Sequence, residues 1–316
     1  MVQTIIIAIG AGVAAALLFL APASGSALAF PLFVLTGLPL AIATFGWGLA
    51  AGAGATAAAA IVIFAVYPAS IVTPAMFLCL FGVPIVWLAN FAGTVHPLGT
   101  GDAGLDRREL STDLVQLVAT VFVAVVAGAL VSGYDSATLV HEVTTAMISV
   151  MTSLGTTPAP TAEQIQPMVA IYVRLLPFVT ALMLTAIFTF DLWVGALVAR
   201  NSRRMTGNLA PLWSVETRTF LLPAFVAALA LAFVPGVAGD IGKVAAGALF
   251  GGFVLVGLAV VHALTRGSSS RLPLLVLCYL LLFFSGVPAI LLALAGIAEI
   301  FLRLRQRRPL DRTSSH

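Results

Sequence analysis

Few side chains in this 316-residue chain can do chemistry, because charged residues make up 9% of it and hydrophobic ones 61%. An ionisable group inside an apolar run is costly to keep there, so the few that occur are the first candidates for function. Arg174 is one, set in Tyr172-Val-Arg-Leu-Leu-Pro177 near the start of a long apolar stretch. It is open to two readings: a guanidinium that snorkels to lipid phosphates, or a planar donor to an anion or carboxylate in an external pocket. With Tyr172, and with His141 and Glu142 of the preceding polar stretch, Arg174 forms a candidate ligand-binding group at the outer face. Asp191 follows on the same expected helix, about 25 Å further along at 1.5 Å per residue, so the two cannot pair. Asp191 can instead meet Arg203, Arg218 or His262, as a structural ion pair or as a proton relay. Glu299 and Arg303 stand four apart in the favourable order for a helix pair. Asp191, His262, Glu299 and Arg303 thus make a second candidate group, at the inner face, and Lys243 with Asp240 marks the outer end of its segment.

Catalytic signatures are lacking. The chain has no His-Glu-x-x-His, no Gly-x-x-x-x-Gly-Lys-Ser/Thr and no Gly-x-Ser-x-Gly, so it does not read as an enzyme. Its four histidines are scattered and offer no convergent metal ligands, and no cofactor or metal is expected. Cys79 and Cys278 lie in separate apolar segments and read as buried thiols. A net charge of +3 comes from arginines in short loops beside apolar runs, which needs no nucleic-acid partner.

The elements that must hold these residues are membrane helices. A mean hydropathy of +1.12 exceeds what a soluble domain could bury around one core. Charge-free runs of this length cross a hydrocarbon layer of roughly 30 Å as helices, whereas a β-barrel would need short alternating strands. Ten apolar segments are expected, near 3–21, 28–45, 47–67, 70–92, 113–132, 168–198, 219–235, 240–264, 272–285 and 287–303. The fold class is therefore all-α, a polytopic transmembrane bundle of about eight to ten segments. Arginine clusters at 107–108, 200–218, 266–271 and 303–312 orient it with both termini cytoplasmic. The stretch 272–303 is open to two readings: a helical hairpin, which that orientation requires, or one long kinked helix, which would translocate the tail. The first segment reads as an uncleaved helix, since Met-Val-Gln carries no basic side chain. One domain, 1–303, precedes a basic cytoplasmic tail, 304–316.

The external stretch 132–166 holds an amphipathic helix near 136–154. Leu139, Val143, Ala146, Met147, Val150, Met151 and Leu154 share one face; His141, Glu142, Thr145, Ser149 and Thr152 share the other. It lies on the membrane surface, caps the bundle, or acts as a lid hinged at 155–160. Gly48, Gly52 and Gly54, with Gly247, Gly251 and Gly252, form small-residue faces for helix packing inside the chain or against another subunit. Pro31, Pro39, Pro74, Pro84 and Pro177 interrupt their helices and free backbone carbonyls.

Four dispersed stretches carry a resemblance: Gly46-Trp47-Gly48, Arg174-Leu-Leu-Pro177, Gly257-Leu-Ala-Val-Val-His262, and Gly296-Ile-Ala-Glu299 followed by Arg303 and Arg305. In order and spacing the chain resembles the YybS-like family of bacterial integral membrane proteins, especially its alphaproteobacterial branch. The early Gly/Ala-rich helices, with Ala11-x-x-x-Ala15, are distantly similar to the substrate-capture subunits of energy-coupling-factor transporters. The resemblance implies a multi-pass protein of a bacterial inner membrane, with no established activity. In that branch an asparagine often stands near the position of Asp191, which makes the carboxylate a feature of this chain rather than of the family.

Beyond the lipid bilayer, two kinds of partner follow. A transport-related protein would bind or pass a small molecule from the outside, whereas a scaffold or assembly factor would dock a membrane protein. An intramembrane enzyme is a third reading, and would require polar residues of different helices to converge.

Overall fold

The structure is a computed structural model that describes residues 2–95, 103–155, 158, 160–204 and 218–303. The expected basic tail at 304–316 lies outside them, as do the side chains of Arg107 and Arg108 and half of the expected hinge at 155–160. Among the described residues the chain is helical, without strands. The helices in order are α1 (Val2–Leu20), α2 (Ala29–Val34), α3 (Leu38–Trp47), α4 (Leu49–Val66), α5 (Val72–Phe77), α6 (Val83–Val95) and α7 (Ala103–Ser132). They continue as α8 (Ser136–Ser153), α9 (Ala162–Asn201), α10 (Leu221–Ala232), α11 (Val237–Leu264), α12 (Arg271–Phe284) and α13 (Val287–Leu302). Seven helices or joined helix pairs are long and apolar enough to cross a membrane, and the bent pair α12–α13 raises that to eight. The chain is an integral membrane protein with a polytopic helical bundle.

Small residues set the contacts, because helices in lipid associate by close packing rather than by expelling water. A Cβ on Gly12 would meet the backbone of Ala55 and Ala59, and one on Gly54 would meet Ala8, so α1 and α4 run parallel. Gly195 packs on Ala41 and Gly37 on Asp191, which makes α3 and α9 parallel. Gly247 meets the backbone of Phe178 and Gly251 meets Thr185, setting α11 beside α9 in the same direction. Gly52 faces Thr44, and Gly252 faces Val118. At Gly52, Gly54, Gly247, Gly251 and Gly252 these small-residue faces are thus occupied by contacts inside the chain. Gly48 departs from its expected helical role: it sits at φ +84° between α3 and α4 with open space around its Cα. Only a residue without a side chain adopts that conformation freely.

The second segment is broken into α2 and α3, and the fourth contains a π turn, Leu78–Gly82, between α5 and α6. At one end of the bundle the Arg204 guanidinium lies 5.0 Å from the centre of the Trp47 ring. Arg200 closes α9 at the same end, called here the arginine-rich end.

α9 is 40 residues long, about 60 Å, roughly twice a hydrocarbon core. Its first turns project beyond the bundle at the other end, where Ile165, Val169 and Val173 form a small separate core with Leu139, Val140, Met147, Ile148 and Met151. α8 therefore packs on α9. Its buried stripe is rotated from the expected face: Thr144 is buried, whereas Val150 and Leu154 are exposed. The helix exchanges part of its apolar face for a threonine whose hydroxyl is satisfied by donation to the Val140 carbonyl at 2.7 Å.

Of the two readings of the C-terminal pair, the structure departs from the hairpin that places both termini on one side. α13 runs antiparallel to α11, with Leu292 against Gly257 and Gly296 against the Phe253 carbonyl. A hairpin of two full crossings would make α13 parallel to α11. Instead α12 meets α13 at a bend of 116°, and Arg303 ends far from the Arg266 end of α11. The cause lies in the glycines, which let α13 sit backbone to backbone on α11, while α12 keeps most of its apolar surface exposed.

Candidate functional site

The site begins with a break in a membrane helix. Leu35 to Gly37 separate α2 from α3, and Pro39 stands in the first turn of α3, where its missing N–H costs nothing. A helix that starts inside a bundle leaves its first N–H groups without helical partners, and lipid offers no water to satisfy them. The Leu38 N–H turns back to the Leu35 carbonyl at 3.1 Å. The Gly37 N–H donates to Asp191 Oδ2 at 3.0 Å.

Asp191 is fully buried on α9. It stands about 13 Å along the helix from Arg200, and the positive end of the α3 dipole faces its carboxylate. Oδ1 has no hydrogen-bond partner among the described residues. The lack of a side chain at Gly37 is what permits the approach, since a Cβ there would lie 2.6 Å from Asp191 Oδ2 and 2.8 Å from Ile85 Cγ1. Thr36 is also fully buried, and its hydroxyl donates to the Phe33 carbonyl at 2.7 Å.

An aromatic wall encloses the break. Phe81, carried by the π turn, contacts Phe33 edge-on at 5.2 Å and Phe188, one turn from Asp191, at 6.1 Å. Phe19 closes the cluster against Phe77 at 5.3 Å. The π turn is tied to α4, where the Thr56 hydroxyl donates to the Gly82 carbonyl at 3.4 Å. Two irregular backbone segments, the α2–α3 break and the π turn, thus flank one buried carboxylate. Non-helical backbone at this depth is tolerated only where protein surrounds it.

The other candidates do not join this site. His262 Nδ1 lies 2.9 Å from the Leu258 carbonyl and its ring meets Tyr279, not Asp191. Glu299 is buried on α13, and Arg303 is exposed at the end of that helix with φ +46°, its N–H donating to the Glu299 carbonyl at 3.1 Å. The antiparallel course of α13 carries Arg303 away from His262, so the expected inner polar group is dispersed. Arg174, Tyr172, His141 and Glu142 are all exposed. Val173 between them is the inward residue; its carbonyl accepts from the Tyr134 hydroxyl at 3.4 Å. Arg174 therefore lies on the exposed side of α9, a position open to a snorkelling cation.

The end opposite the arginine-rich one carries its own charges. Lys243 Nζ lies 2.7 Å from Asp240 Oδ1, the expected anchor of α11. Burial and the nearby Asp240 push the Tyr134 phenol above its ordinary value. Asp135 caps α8 by accepting from the Thr138 N–H at 2.8 Å, and that bond holds its carboxyl below the usual range. No group of His, Cys, Asp or Glu suited to a metal ion occurs among the described residues.

Comparison with protein families, curated proteins and solved structures returns no match for this chain.

Sequence reasoning picked out Asp191 but missed its partner. The signal was present in Thr36-Gly37-Leu38-Pro39, a helix start inside an apolar run. A buried carboxylate and an orphaned helix N-terminus answer each other's need.

Proposed function

We propose that this is a transport-related membrane protein in which the Asp191 carboxyl exchanges a proton as part of the working cycle. The observation that carries this reading is a fully buried carboxylate held by the first N–H of a discontinuous membrane helix. Broken helices whose ends face a substrate or a coupling ion are a recurrent device of secondary transporters. A carboxyl is the side chain that changes charge at such a place, and an intramembrane charge is costly enough to alter the balance between two arrangements of the helices. The small-residue faces are taken up in internal packing, which removes one support for a scaffold. With Arg174 exposed, this reading centres on the helix break rather than on the face that carries Arg174.

The test uses protein reconstituted on a solid-supported membrane and subjected to rapid pH jumps. Wild-type protein is expected to give a transient charge displacement that Asp191→Asn lacks, while circular dichroism and thermal melting show the variant folded. Equal transients from both proteins would remove Asp191 from the cycle.

A further inference from the structure

The α8–α9 cap has a side left uncovered among the described residues. α8 and α9 pack as an antiparallel pair: Tyr134, just before α8, reaches the Val173 carbonyl at one end of their small core, and residues 154–161 join the helices at the other. On α8 the contacts with α9 leave Val143, Val150 and Leu154 uncovered, the last two at 56% and 78% exposure. On α9 Met168, Ile171 and Tyr172 are uncovered in the same way. At about 100° per residue, each of these stripes lies roughly a quarter turn from the stripe that meets the other helix, in the same rotational sense on both. Equal offsets in an antiparallel pair bring the two stripes to one side. The cap therefore has an apolar side built from both helices, while the exposed Thr145, Thr152, Glu163 and Arg174 fall on the other.

This side stands above the hydrocarbon. Val173 is level with Tyr134, whose phenol feels the charge of Asp240 at the start of α11, so α9 from Ala162 to Val173 rises about 16 Å clear of the bundle. Because α9 continues unbroken into the bundle, the apolar side looks along the bilayer rather than down onto it. Lipid therefore cannot cover it. Below Val173 the same side runs on without interruption into the lipid-facing stripe of α9, through Leu175, Val179 and Met183. One apolar strip thus begins in water and ends in hydrocarbon, and its occupant must cross the membrane and rise to the same height above it. A second copy of the chain does both. A two-fold axis along the membrane normal sets each level of the strip against the same level of its copy. Among the described residues no charged side chain lies in the strip, so self-pairing brings no like charges together. The cap side is about 16 Å tall and two helices, about 20 Å, wide. With the stripe of α9 below it, that amounts to roughly 600 Å² per copy, or roughly 1,200 Å² in all, which reaches the range of stable interfaces.

We propose that the chain forms a parallel two-fold homodimer through this strip. The α9 helices meet along their exposed stripes within the bilayer, and the two caps close against each other above it, holding each α9 by its projecting end.

Native mass spectrometry of the full chain in mild detergent, paired with cross-linking in native membranes, tests this. Wild-type protein is expected to be dimeric. Val150→Glu and Ile171→Glu each place a charge on the strip outside the hydrocarbon and should weaken dimerisation about tenfold or more, whereas Thr152→Glu, on the other side of the cap, should leave it unchanged. In a Cys79→Ala, Cys278→Ala background, a short bismaleimide should join copies carrying Tyr172→Cys at least about tenfold more than copies carrying Glu163→Cys. Thermal melting reports the fold of each variant, and Val150→Glu carries the test if Ile171→Glu does not fold. A monomeric wild type would overturn the proposal, as would dimerisation unchanged in a folded strip variant or equal cross-linking from Tyr172→Cys and Glu163→Cys. So would a stoichiometric complex in which a different protein occupies the strip in place of the second copy.

Discussion

Placing a methyl group on Gly37 interrogates the site most directly. The Cβ of Gly37→Ala would lie 2.6 Å from Asp191 Oδ2 and 2.8 and 2.9 Å from two carbons of Ile85. Ordinary carbon contacts are about 3.5–4.0 Å, so one or both neighbours must retreat by roughly 1 Å. Ile85 is fully buried, and overpacking of that kind costs about 1–3 kcal/mol. If Asp191 retreats instead, the 3.0 Å bond from Gly37 is lost, at about 1–3 kcal/mol for a buried group left without its partner. The net expectation is a loss of about 2–4 kcal/mol, a shift of roughly 30- to 800-fold in the unfolding equilibrium. Gly10→Ala is the control, because nothing lies within 4 Å of a Cβ there. In a helix interior that change should be neutral or stabilising by up to about 1 kcal/mol. Reversible unfolding in mixed micelles, followed by circular dichroism against the mole fraction of denaturing detergent, compares the two. In an Asp191→Ala background the Gly37→Ala cost should shrink by about 1 kcal/mol or more, since one of the two obstacles has gone. Equal stabilities of the Gly37→Ala and Gly10→Ala proteins, or full additivity with Asp191→Ala, would refute the geometry.

The same unfolding assay should separate Asp191→Asn, which keeps an acceptor for Gly37 and stays within about 1 kcal/mol of wild type, from Asp191→Ala, which loses about 1–3 kcal/mol; identical losses would mean the hydrogen bond is not what the residue supplies. Because the Asp135 carboxyl is held below its ordinary 3.8, its capping of α8 is fully present above that pH and is lost as pH falls through the lower folded value. Amide exchange at Thr138, corrected for intrinsic rate, should therefore accelerate on acidification in wild type but not in Asp135→Asn; parallel profiles would contradict this. In a Cys79→Ala, Cys278→Ala background, the antiparallel course of α13 predicts that Arg266→Cys and Arg303→Cys react with an impermeant thiol reagent from opposite sides of the membrane, and labelling from one side would refute it.

How much of this was legible beforehand depended on what each residue answers to. Long apolar runs and arginine clusters answer to the bilayer alone, which is why the all-helical bundle and most helix directions follow from them. Asp191 stood out because a charge inside a run is rare. Its role did not, since the partner is a backbone N–H created by a break 154 residues away in the chain. Arg174 and Tyr172 looked like a mouth, but residues adjacent on a helix point in different directions, and Val173 took the inward position. The face of α8 was rotated because only its neighbour α9 decides which stripe is covered. For α13 the charge rule and the packing of Gly257 and Gly296 pull in opposite directions, and only the second is visible in coordinates.

α9 is one unbroken rod despite Pro167 and Pro177 within it. Its projecting end carries the α8 cap, and about three-quarters of the way down it carries Asp191. If the rod pivots near Arg200, a tilt of about 5° moves the tip roughly 5 Å but Asp191 only about 1 Å. The helix thus acts as a reducing lever of about four to one. A movement of that small size, at the site, is the difference between keeping and losing a single hydrogen bond. In such a pivot, whatever grips the α8 cap would gain a mechanical hold on the buried carboxylate, without any ligand having to reach it.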